Sequence, residues 1–122
     1  MVKMIVLLKR RPGMTMTEFI DYYETHHRLI GEKYLRGHAI RYVRRYLAPL
    51  PDPVSGVLQE PDHHDVVMET WYPDQVACDA AMAAISEPAA AAEIAADELK
   101  LFDRSKLRAF TVREFESDIT SG

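Results

Sequence analysis

The sequence predicts an α+β fold, a four-stranded antiparallel sheet with helices on one face. Three observations carry the prediction. Four short runs rich in branched or aromatic residues have strand length and are bounded by turn signals. Helical segments separate the first run from the second and the third from the fourth, whereas only a loop joins the second to the third. The 122 residues are one domain's worth of chain, 1–122.

Val2 to Lys9 is short and rich in branched aliphatics, which fits a strand. Arg11-Pro12-Gly13 marks a turn. Thr15-Met16-Thr17-Glu18 matches a capping box, in which the Thr15 hydroxyl accepts from the Glu18 N–H and the Glu18 carboxylate accepts from the Thr15 N–H. A helix from about Met16 to Tyr34 follows, closing near Gly37. Ile40 to Ala48 sets Tyr42, Val43, Tyr46 and Leu47 among arginines and reads as the second strand. The prolines and the glycine of Pro49 to Pro61 make residues 49–64 an exposed, flexible loop. In His64 to Tyr72 the alternation puts Val66, Met68, Thr70 and Tyr72 on one face and Asp65, Val67, Glu69 and Trp71 on the other. Pro73-Asp74 opens a helix to about Ile85, and Pro88 suits the first position of another reaching about Phe102. Lys106 to Phe115 alternates again as the last strand, and 116–122 is a polar tail. The order β-α-β-β-α-(α)-β is the split βαβ, ferredoxin-like arrangement.

Such a sheet has a second face to cover. On strands one, two and four both alternation classes hold large apolar side chains, such as Met4, Val6 and Leu8 opposite Ile5 and Leu7. A second copy covers that face economically, giving a two-fold homodimer with its sheets face to face.

Composition narrows the function. Hydrophobic content of 48% and charged content of 28% describe an ordinary globular chain. A net charge of −4 argues against a nucleic-acid or membrane-surface partner. No apolar run approaches the roughly 18 residues of a membrane helix. A single cysteine, Cys78, forms no intrachain disulfide, and no leader-like start is evident, so a cytoplasmic location is expected. No phosphate loop or dinucleotide fingerprint occurs. The adjacent pairs His26-His27 and His63-His64 diverge on a helix or a strand, so neither chelates well. No cofactor and no metal are predicted.

Helical spacing places Phe19, Tyr22, Tyr23, His26, His27, Ile30 and Tyr34 along one stripe, which must pack yet carries hydroxyls and imidazoles. His27 suits a general acid or base near neutral pH, or a buried histidine packed on Tyr23. Glu69 and Asp65 share a strand face with Trp71; a carboxylate beside that aromatic wall would orient His27, or else pair with a strand arginine. Tyr22 and Tyr23 suit donors to a substrate oxygen. Arg44 would bind a carboxylate or phenolate if its face lined the dimer barrel, or else form an interface ion pair.

Three stretches resemble the EthD family of the dimeric α+β barrel superfamily. They are Leu7-Leu8-Lys9-Arg10-Arg11-Pro12-Gly13-Met14-Thr15 with Phe19-x-x-Tyr22-Tyr23-x-x-x-His27; Asp65 through Glu69-Thr70-Trp71-Tyr72; and Asp97-Glu98 through Phe102-Asp103 with Val112-Arg113-Glu114. Tyr23 stands where the family commonly has tryptophan. The resemblance places His27 at the family's histidine and implies a pocket for a small, often cyclic molecule. Relatives in the superfamily include isomerases, polyketide cyclases, decarboxylases, dehydratases and quinone-forming monooxygenases. The expected function is a cofactor-independent lyase or isomerase acting on a cyclic or aromatic metabolite, with His27 as acid or base. The alternatives are a non-catalytic small-molecule-binding accessory of a catabolic oxidase system and a cofactor-free monooxygenase on phenols.

Overall fold

The structure, a computed structural model, describes residues 1–58 and 62–120. Strand β1 (Val2–Leu8) leads through the Arg11-Pro12-Gly13 turn into helix α1 (Met16–Tyr22), where Thr15 and Glu18 form the predicted capping box. The expected single helix continues, but not uniformly. A π-helical turn (Tyr23–His27) intervenes before α2 (Arg28–Leu35), and the Arg28 N–H reaches the Tyr23 carbonyl five residues back. Then come β2 (Arg41–Tyr46), β3 (Val66–Tyr72), α3 (Gln75–Ser86), α4 (Pro88–Glu98), a 3₁₀ turn (Arg104–Lys106) and β4 (Arg108–Thr111). Among the described residues no helix is long and apolar enough to cross a membrane.

The strands run β2-β3-β1-β4, each antiparallel to its neighbour. That order is ferredoxin-like. The register sets Met4, Val6 and Leu8 beside Thr70, Met68 and Val66, and those beside Tyr42, Arg44 and Tyr46. This face packs on the helices. Leu8 and Val66 bury against Phe19, Tyr23, Leu101 and Phe102, and Tyr72 against Cys78 and Ala81. The opposite face carries Ile5, Leu7, Val43, Val67, Trp71 and Phe110, the last 49% exposed.

Tertiary contacts move some expected ends. Helix α4 stops at Glu98 rather than near Phe102. Leu101 and Phe102 are drawn into the core, and the Leu101 carbonyl accepts from the Arg11 N–H at 2.8 Å. Strand β4 is shorter than Lys106 to Phe115: it ends at Thr111, and its start is set back to Arg108 by the 3₁₀ turn that Asp103 caps. The loop 49–64 is partly beyond the described residues, which omit 59–61. In its described part Asp52 Oδ1 accepts from the N–H groups of Val54 and Ser55 in a side-chain-capped turn. The tail's last two residues also lie outside the description.

Candidate active site

A cavity of about 230 Å³ lies between the helices and the sheet face that packs on them. Its walls are mainly aliphatic and thioether, with Met4 and Val6 of β1, Met68 of β3, Ile30 of α2 and Met82 of α3 among them. Among the described residues no lysine or arginine lines it. The lining groups that can ionise are His27, Glu98 and the tyrosines Tyr23, Tyr34, Tyr42 and Tyr72.

His27 ends the π-helical turn and Tyr23 begins it; both face the cavity together with Ile30 and Gly31 of α2. The His27 ring packs edge-on against Tyr23 at 5.2 Å and Phe102 at 5.2 Å, which fixes its plane. Its Nδ1 lies 2.8 Å from Asp97 Oδ2, contributed by α4, in a buried contact. Tyr22 donates its hydroxyl to the other Asp97 oxygen. Burial pushes the Asp97 carboxyl upward, but the hydrogen bonds from Tyr22 and His27 and the nearby Lys100 outweigh it and hold its pKa below the usual carboxylate value. Burial and the Asp97 charge push the Tyr22 hydroxyl up to about 12, so Tyr22 remains a donor.

These facts fix the tautomer. An ionised carboxylate only accepts, so Nδ1 carries the hydrogen, and in the neutral form of the ring the bare lone pair is at Nε2. Nε2 has no hydrogen-bond partner among the described residues, while the ring borders the cavity. A carboxylate behind a histidine also stabilises the imidazolium that forms when Nε2 takes a proton. Such an arrangement can act as a base beside an apolar cavity.

The other candidate residues divide. Tyr23 is buried, lines the cavity and shares a 3.3 Å hydroxyl contact with Tyr42. Burial pushes its pKa well above the phenol value, so it too stays neutral. Tyr22, expected to hold a substrate oxygen, instead stacks on His26 at 4.7 Å and supports Asp97. The expected pairing of His27 with Glu69 or Asp65 is corrected. Glu69 projects from the opposite sheet face and meets Arg45 at 2.7 Å. Burial raises its pKa, but Arg45 and Lys3 more than offset that. Asp65 accepts from the Arg10 N–H at 2.8 Å and fastens the end of β1. Trp71 shares the outer face with Glu69, its ring between Lys3 and Arg41 at 3.8 and 4.3 Å. Arg44 does lie on one face with Tyr42 and Tyr46, but that face packs on the helices. There it is locked in a two-pronged ion pair with Glu24, at 2.9 and 2.8 Å.

The histidine pairs diverge as expected. His26 turns out to Thr25, and His64 Nε2 meets the Lys106 carbonyl at 2.7 Å. Among the described residues no three His, Cys, Asp or Glu side chains converge as a metal site. The residues missed as site members are Asp97 and Glu98. A signal for them existed. Two acids in the last turn of an alanine-rich helix oppose the helix dipole, a placement that needs a partner to hold it. The partners are His27 and Tyr22 for Asp97, and Arg104 for Glu98.

Comparison with known proteins agrees with this architecture. Residues 11–105 match the EthD domain. The fold is similar to that of At3g17210 from Arabidopsis thaliana, with TM-score 0.61 and 14% identity over 98% of this chain and 100% of that one. It is similar to an ethd family protein from Bacillus halodurans, with TM-score 0.61 and 15% identity over 94% and 100%. It is also similar to a dimeric protein of unknown function and ferredoxin-like fold from Bacteroides fragilis, with TM-score 0.57 and 11% identity over 93% and 95%. No curated protein matches the sequence.

Proposed function

The chain belongs to the EthD family, and on that premise we propose that it is a cofactor-independent lyase or isomerase acting on a small cyclic or aromatic molecule. His27 is its general base and acid. The observation that carries the reading is the Asp97–His27 pair, 2.8 Å apart and buried, with Nε2 left free at an apolar cavity. Dehydration, cyclisation, decarboxylation and double-bond migration all need one proton removed and one delivered. A single imidazole does both when water is excluded and the ring is held. Asp97 orients the ring, Tyr22 holds Asp97, and Tyr23 and Phe102 fix the ring plane.

Proton exchange tests this without knowledge of the natural substrate. The protein is incubated in D₂O with a panel of cyclic enones, enol lactones and phenols, and C–H exchange is followed by NMR. The expected result is accelerated exchange in at least one compound, falling by about 10² or more in His27→Gln. Wild-type exchange rates in that variant would sink the proposal. Tight binding with no exchange would favour a non-catalytic accessory.

A further inference from the structure

Resting on that reading, we propose the class of compound the cavity takes: an uncharged, conjugated molecule that binds through an acidic hydroxyl, a phenol or a stabilised enol, with its O–H donated to His27 Nε2.

Charge is the first argument. Among the described residues the lining offers an anionic ligand no lysine or arginine, and an imidazolium at His27 would already be paired with Asp97. Nearby basic groups are committed elsewhere, Arg44 to Glu24, Lys33 to Glu93 and Arg104 to Glu98. The ligand's charge would instead sit near Asp97 and Glu98, an unpaired buried charge of the kind proteins avoid. A cationic ligand fares no better, because the one lining carboxylate, Glu98, already serves Arg104.

Acidity is the second. When Nε2 takes a proton, the ligand's new anion needs stabilising, and the cavity offers few free donors. The Tyr23 and Tyr42 hydroxyls face each other and share one hydrogen, Tyr34 donates to Glu93, and the Tyr72 hydroxyl is buried without a hydrogen-bond partner among the described residues. Tyr72 and the spare hydrogen of the Tyr23–Tyr42 pair are neutral donors with no lysine or arginine beside them, so the anion must still spread its own charge. A phenol, near 10, lies within a few units of imidazole, near 6.5; the carbon acid of an isolated ketone is far weaker. The step balances within the pair. The O–H bond breaks, its proton goes to Nε2, and its electron pair stays on oxygen and spreads into the conjugated system. The imidazolium then returns the proton to a carbon or a leaving group of the same molecule. The wall fits such a system, since Met4, Met68 and Met82 present polarisable thioethers that pack on flat rings.

Three probes of one skeleton, 2-naphthol, naphthalene and 2-naphthoate, test the proposal by calorimetric titration at pH 8. The expected ranking is naphthol about tenfold tighter than naphthalene and about 100-fold tighter than naphthoate. In His27→Phe the first ratio falls to near one and the second persists. His27→Gln, which keeps a polar group, serves if that variant does not fold. Naphthoate binding as well as naphthol, naphthol not binding, or a naphthol preference that survives both variants would overturn the proposal. Those failures leave the exchange experiment untouched. Conversely, a correct ranking without exchange would make this a carrier of neutral phenols.

Discussion

Asp97 decides what His27 can do, because it chooses which ring nitrogen holds the hydrogen. Asp97→Asn keeps the shape and can still accept from Tyr22, but its amide can donate to Nδ1. That moves the hydrogen to Nε2 and removes the base. The rate of His27-dependent proton exchange should fall by about 10² to 10⁴, and ¹⁵N NMR should show the tautomer exchanged. The same residue predicts a pH dependence of stability. The Asp97 pKa is depressed in the folded protein, so its stabilising contribution is present above the unfolded value of about 3.9 and is lost as pH falls through the folded value. Chemical denaturation should show wild type more stable than Asp97→Asn at pH 7, the gap closing below about pH 4. A gap constant with pH would show that Asp97 is not held as an ion. His27 was legible in the sequence because its stripe was too polar for a plain core face. Its partner was not, because Asp97 lies 70 positions away and only the packing of α4 on the π-helical turn joins them.

At the scale of elements, strand and helix order followed from periodicity and punctuation, since capping boxes, prolines and alternation are local. What local pattern did not show was the wide turn inside the first helix. The turn absorbs one extra residue, and a simple helical wheel cannot anticipate that. Deleting exposed Thr25, whose hydroxyl bonds to Asp21 and His26, should therefore restore a regular helix with both flanking segments still facing the sheet. Denaturation should report little loss of stability. A large loss would mean that the wide turn itself sets the packing of the two segments. The next segment packs tightly. A Cβ on Gly31 would sit 2.8 Å from the Tyr42 hydroxyl and 3.0 Å from its ring. Gly31→Ala should therefore lose the roughly 1 kcal/mol gained in helix propensity to overpacking of about 1–3 kcal/mol. Adding Tyr42→Phe should recover part of that loss, because the nearest atom is gone. No recovery would place the strain elsewhere.

At the scale of the whole molecule, the outer sheet face raises a question of cover. The sequence already marked it, since both alternation classes of the strands are apolar, and the structure leaves Ile5, Leu7, Val43 and Val67 only half-buried beside an exposed Phe110. The similar protein from Bacteroides fragilis is dimeric. A homodimer with the two outer faces together would remove this patch from water, and it would also change how the charges there are read. Glu69–Arg45 and Lys3–Glu114 would rim an apolar centre, as polar groups surround the cores of stable interfaces. Because the His27 cavity lies on the opposite side of the sheet, the dimer and the chemistry should be separable to first order. Val67, on the central strand pair, is the residue to change. Val67→Arg would set a charge at the middle of each joined face, twice over by symmetry. If wild type sediments as the expected dimer, this variant should sediment as a monomer, with His27-dependent exchange reduced only as far as the exposed sheet loosens the fold. A wild-type protein that sediments as a monomer at micromolar concentration would remove the dimer. An exchange rate that collapses in a folded Val67→Arg monomer would instead mean that the partner sheet helps to shape the cavity.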